Sequence, residues 1–211
     1  MNYGTLYTHI EDTIAIVEFF HPASNSLPSE LLGRLTKSIH QLSENDEVHV
    51  IILKSEGDRA FCAGASFDEL VAITNFTDGK QFFLGFANVI NAMRTCKKPI
   101  IGRVQGKVVG GGVGLISACD YAYATDQAAI KLSELTIGIG PFVIAPAVER
   151  KIGLAGFSEL TLAATEWKTA YWAKEKGLFA KVFETQEGLK KETQNLAEKL
   201  ASYNADAVSE M

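Results

Sequence analysis

The sequence has 211 residues, of which 47% are apolar and 21% charged, and a formal net charge of −5. That is enough chain and enough apolar side chain for one large domain with a substantial core. The acidic balance argues against a dedicated binder of nucleic acid or of an anionic membrane, and the paired lysines 97–98 and 190–191 make no basic stripe.

The first strong pattern is Thr13 to Phe20, rich in β-branched and aromatic residues, which predicts a strand. A loop through His21-Pro22 and Asn25-Ser26 leads to a helical stripe over 28–42, with apolar residues at Leu31, Leu32, Leu35, Ile39 and Leu42 and Ser29 as its N-cap. Val48 to Lys54 predicts a buried strand, and a loop over 55–65 follows it. A helix is expected over 79–94 with Phe82, Phe83, Phe86, Val89, Ile90 and Met93 on one face, then a strand over 99–104. The glycine run 110–114 opens an apolar helix to about Ala118. Short strands are expected at 121–124 and 129–132, helices at 142–152, 156–164 and 169–176, a strand at 178–183, and an amphipathic helix at 187–203. Strands and helices alternate throughout, so the fold class is α/β.

Cys62, Cys96 and Cys119 are odd in number, far apart and outside any C-x-x-C pair, which excludes a disulfide framework and a zinc site of cysteine pairs. Met1 to Glu11 lacks a basic segment followed by an apolar core, and no stretch approaches the ~18 apolar residues of a membrane span. A cytoplasmic protein with no membrane partner is expected.

Two loops carry the chemical interest: Phe61-Cys62-Ala63-Gly64-Ala65 and Gly110-Gly111-Gly112-Val113-Gly114, each after a predicted buried strand. Glycines let backbone N–H groups approach a ligand, and the second loop opens a helix whose free N–H groups favour negative charge. Two such groups converging on one oxygen make an oxyanion hole, worth roughly 2.7–4 kcal/mol per donor. The plainer reading is tight strand–helix packing, and spacing alone leaves both open. Glu134, flanked by apolar residues, is either a desolvated base or an exposed strand end. Gly112-x-Gly114 followed by Ser117 is a degenerate dinucleotide fingerprint, lacking the third glycine and lying mid-chain.

Taken in order, the 61–65 loop, Lys98-Pro99-Ile100-Ile101, Gly106, the 110–112 glycines, Cys119 to Ala124, Glu134 to Gly138 and Lys151-Ile152-Gly153 resemble the enoyl-CoA hydratase/isomerase (crotonase) superfamily. The resemblance implies a spiral of repeated ββα units with C-terminal helices. It implies an acyl-CoA thioester substrate, with coenzyme A part of that substrate and no separate cofactor or metal. It implies oxyanion donors at Ala65 and Gly111 and a catalytic carboxylate at Glu134. Ala63, Gly64, Gly110, Gly112, Gly114, Pro141 and Phe142 are the implied substrate contacts, Ala63 toward the adenine end. A homotrimer or a dimer of trimers is the implied assembly. Residues 1–185 would form the spiral core and 186–211 the start of a helical region, shorter than in family chains.

Hydratases of the family use a second glutamate where this chain has Gly114. The single carboxylate, with Pro141-Phe142 after it, resembles the Δ3,Δ2-enoyl-CoA isomerases, so double-bond isomerisation is expected ahead of hydration. On this reading Gly114→Glu would restore a second carboxylate. The alternative of another class is an acyl-CoA-binding or scaffold protein without turnover. Ser66 stands where many relatives have Asp, and Arg103 in a buried strand needs a partner.

Overall fold

The computed structural model describes residues 4–210. Residues 1–3 and Met211, the outer ends of the two expected segments, lie outside the described residues. The chain opens with a hairpin: β1 (Thr5–Glu11) pairs antiparallel with β2 (Ile14–Phe20). Helix α1 (Ser29–Ser43) then lays its apolar stripe of Leu31, Leu32, Leu35, Ile39 and Leu42 into the core.

Three ββα turns follow. The first has β3 (Val50–Ser55), β4 (Ala60–Cys62) and helices α2 (Phe67–Val71) and α3 (Phe76–Arg94). The second has β5 (Ile100–Val104), β6 (Lys107–Val109) and α4 (Gly111–Ala118). The third has β7 (Tyr121–Thr125), β8 (Ala129–Lys131), a 3-10 turn Glu134–Ile137 and α5 (Ala145–Leu162). The chain closes with β9 (Lys168–Thr169), α6 (Ala170–Glu175), β10 (Lys181–Phe183), α7 (Gln186–Ala201) and α8 (Ala205–Ser209).

In each turn the first strand joins a large sheet, ordered β1-β2-β3-β5-β7-β10, and the second joins a small sheet, ordered β4-β6-β8-β9. All pairings are parallel except β1 with β2 and β8 with β9. This is the expected α/β spiral of ββα units. The main core fills the space between the sheets and helices, with Phe19 and Phe61 edge to face at 5.4 Å. The other face of the large sheet is covered by α7, where Ala197 meets Ile14, Val50, Ile52 and Ile101.

Helix α4 is apolar on every side and buried from Gly112 to Ala118. Its C-terminal end is held by charge. Lys151 Nζ donates to the carbonyls of Cys119 and Asp120, both at 2.9 Å, where a cation suits the helix dipole. Asp120 Oδ2 in turn accepts from the Ile100 N–H at 2.8 Å.

Several local expectations are corrected. Ser29 is the first helical residue of α1 rather than its cap; its N–H and hydroxyl both donate to Glu69 Oε2 of α2. The two helices expected over 142–152 and 156–164 are present within Ala145–Leu162, separated at Gly153, whose φ of 72° only glycine adopts readily; the first begins at Ala145 rather than at 142. Arg103 makes no ion pair with an acid among the described residues. It is half-buried beside Lys54 in the β3–β5 register, and Lys54 is the partner of Glu18 on β2. Burial, then the charge of Arg103, pushes the Lys54 ammonium down to about 8.

Candidate active site

The register of the small sheet brings the two glycine loops together. Cys62 on β4 pairs with Val108 on β6, and Ala65 and Gly111 each lie three residues beyond that pair. Val109 pairs with Lys131 on β8, and Glu134 lies three residues beyond Lys131. All three positions therefore leave the carboxyl ends of neighbouring parallel strands, where open α/β sheets take their ligands.

The loops touch at Gly64, whose φ is +90°. A Cβ there would sit 3.1 Å from the Val109 carbonyl oxygen and 3.5 Å from the Gly111 nitrogen. Only a residue without a side chain lets the two backbones lie this close. The first loop is held by the segment at Ser24 to Leu27. Leu27 N–H donates to the Gly64 carbonyl and Ala63 N–H to the Ser24 carbonyl. The bridge between Leu27 and Ala65 thus uses the Gly64 oxygen and leaves the Ala65 N–H outside its hydrogen bonds. Buried Asn25 ties this segment to the sheet, its side-chain NH2 donating to the Glu56 and Ala60 carbonyls at 2.8 Å. Ser66, the departure in this loop, caps α2 by accepting from Glu69 N–H at 3.3 Å. In the second loop Gly111 is the first residue of α4, so its N–H has no acceptor within the helix.

Both loops border a cavity of about 190 Å³. Ala63, Gly64, Ala65, Gly110, Gly111 and Pro141 line it, and so does Glu134. Its apolar walls come from Phe82, Phe83 and Phe86 of α3 and from Val143 and Ile144. Among the lining residues Glu134 is the one with an ionisable side chain, and Ser133 is the other polar one.

Glu134 opens the 3-10 turn, where the sequence left a choice between a desolvated base and an exposed strand end. Its Oε2 is buried with no hydrogen-bond partner, and burial pushes its carboxyl above the ordinary range. Its Oε1 would lie 3.0 Å from a Cβ at Gly110, so glycine at 110 leaves room for the carboxylate.

Three of the implied substrate contacts lie off the cavity wall. Gly112 packs against β4, its Cβ position 2.8 Å from Cys62 Cβ. Gly114 faces Ile144 and Ile90. Phe142 is 81% exposed and lies outside the lining, its ring against Gly140. Sequence reasoning missed Ile144 and Asn25; only tertiary placement gives either a role. The two thiols in these segments are buried: burial pushes Cys62 up to about 12 and raises Cys119 as well. No group of three or more His, Cys, Asp or Glu able to hold a metal occurs among the described residues, and no helix is long and apolar enough to cross a membrane.

The sequence profile of the enoyl-CoA hydratase/isomerase family matches residues 9–211. The chain is 29% identical over 200 residues to a peroxisomal Delta(3,5)-Delta(2,4)-dienoyl-CoA isomerase of Arabidopsis thaliana, covering 88% of this chain and 70% of that protein. It is 30% identical over 194 residues to a short-chain-enoyl-CoA hydratase of Clostridium acetobutylicum, covering 91% and 73%. Among solved structures, an enoyl-CoA hydratase of Bacillus anthracis superposes with a TM-score of 0.90 at 27% identity, over 99% of this chain and 80% of that one.

Proposed function

The chain belongs to the enoyl-CoA hydratase/isomerase family, and from that premise we propose that it moves the double bond of an enoyl-CoA thioester, with Glu134 carrying the proton. The thioester oxygen rests between the N–H groups of Ala65 and Gly111. Glu134 takes a proton from C2 of a 3-enoyl thioester, and the electron pair passes through the carbonyl to the oxygen as an enolate. The same carboxyl returns the proton at C4, and the double bond comes to lie between C2 and C3. The backbone donors lower the cost of the enolate, and the carboxyl, its affinity for protons raised by burial, is a stronger base than an exposed one.

The observation that carries this reading is the solitude of Glu134: it is the one ionisable side chain on the cavity wall, and its second oxygen has no partner. One carboxyl is sufficient for a shuttle that gives back the proton it took. Coenzyme A enters only as part of the substrate. The working unit on this reading is a homotrimer or a dimer of trimers in the cytoplasm, supported by exposed apolar side chains such as Leu154 and Leu162 on α5.

The test is incubation with 3-enoyl- and 2-enoyl-CoA thioesters, with products identified by mass and NMR. Isomerisation leaves the mass unchanged and hydration adds one water. Glu134→Gln should lower turnover by roughly 10²–10⁴-fold, the usual worth of a positioned acid/base, with thioester affinity retained. Wild-type hydration without isomerisation, or a fully active Gln variant, overturns the reading.

A further inference from the structure

One carboxylate can in principle serve two reactions. In double-bond migration the proton taken at C2 is returned at C4 and no other molecule takes part. In hydration a water oxygen bonds to C3 of a 2-enoyl thioester and the water proton goes to the carboxylate. The electron pair then returns from the enolate to C2, which takes a proton. Both are balanced with Glu134 alone, but hydration also needs a place that holds the water, which migration does not. The difference is whether a water molecule has a place beside the reacting carbons.

The cavity wall near Gly114 bears on that question. Gly114 lies in α4 where it meets α3 and the start of α5. A Cβ at 114 would stand 2.5 Å from Ile144 Cγ2, 2.8 Å from Ile144 Cβ and 2.9 Å from Ile90 Cδ1. Such separations leave no room for any side chain at 114, let alone for a water between the helix and Ile144. Ile144 itself is 3% exposed and lines the same cavity as Glu134. An ordered water needs room and two to four polar partners. The side chains of this wall offer it only Ser133 and Glu134, and those belong to one another's turn.

We propose that Ile144 is the specificity-determining side chain of this protein: by filling the space beside Gly114 it denies water a seat at the bound enoyl group, and the double bond migrates instead of being hydrated. The inference rests on the proposed isomerisation and names the residue that enforces it. It also explains why a glycine stands at 114. The isoleucine occupies the volume that any larger residue there would need.

The test compares Ile144→Thr with Ile144→Val, which share a β-branched shape and differ in one hydroxyl. Each is given one 3-enoyl-CoA substrate and the corresponding 2-enoyl-CoA in 18O-labelled water, and the labelled 3-hydroxyacyl product is measured against the isomer. The Thr variant should raise the hydration-to-isomerisation ratio at least about tenfold over the Val variant, the rate equivalent of one added hydrogen bond in the transition state. Ile144→Ala, which opens the space without adding a polar group, should move the ratio in the same direction by less, and it serves if the Thr variant does not fold. Folded variants with the wild-type product ratio overturn the role of Ile144 while leaving the isomerase reading standing. A wild type that hydrates freely overturns both.

Discussion

Glu134 sits where a charge is expensive. With Oε2 unpartnered and burial raising its carboxyl, the folded protein holds the proton more tightly than the unfolded chain does. The stability this supplies is full below the unfolded carboxyl value and is lost as pH rises through the higher folded value. Above the folded value the wild type carries a buried charge that Glu134→Gln removes. Thermal melts should show the Gln variant gaining stability over the wild type as pH rises through that folded value, with the gap closing as the buffer falls below the ordinary carboxyl range. In the wild type kcat/KM should fall on the acid side with an apparent pKa above that range. A neighbouring residue shows the reverse kind of constraint. The sequence invites Gly114→Glu as a gain of a second carboxylate, but Ile144 already fills that space. The single change should destabilise by about 1–3 kcal/mol or more through overpacking. Adding Ile144→Gly should make the two penalties less than additive, which denaturant titration of the single and double variants measures.

Elements with a long apolar period were legible before any coordinates. The stripes of α1, α3 and α7 and the run of β3 are set by their own residues, and the structure has them within a few positions of the readings. Of the strands that build the site only β8, expected at 129–132 and found at Ala129–Lys131, was legible. β4 and β6 are three residues each and β9 is two, too short for a period to declare itself, and their pairing is decided by partners far along the chain. β1 gives no sequence signal because its residues, Thr5 to Glu11, face outward in the main and show no apolar alternation. One element also permits a local test. Thr185 caps α7 by accepting from the Gly188 N–H at 3.1 Å. Thr185→Ala should cost about 1 kcal/mol, read as a lowered unfolding midpoint. Activity should be affected little, because α7 packs on the face of the large sheet remote from the glycine loops.

At the scale of the molecule the site is assembled by topology. The motifs at 61–65, 110–114 and 134 could be read singly, but that they converge follows from parallel pairing of β4, β6 and β8, which no local pattern encodes. Other family-like segments turned out to be scaffolding, Asp120 and Lys151 securing the end of α4. A ligand that binds across these three strand ends should stabilise the folded chain as a whole. A non-reacting acyl-CoA at a hundredfold over its Kd should add roughly 2.7 kcal/mol, seen as a raised Tm in both wild type and Glu134→Gln, and a thioester that left Tm unchanged would place its binding elsewhere. The equal offset of Ala65 and Gly111 from the Cys62–Val108 pair has a consequence for how such a site can change over time. On the proposed reading the two N–H donors follow backbones that start from a ruler built into every β-sheet, the spacing of about 4.8 Å between adjacent strands. That spacing is made by backbone pairing, so on the proposed reading substitutions along the cavity wall can redirect the chemistry and leave it unchanged.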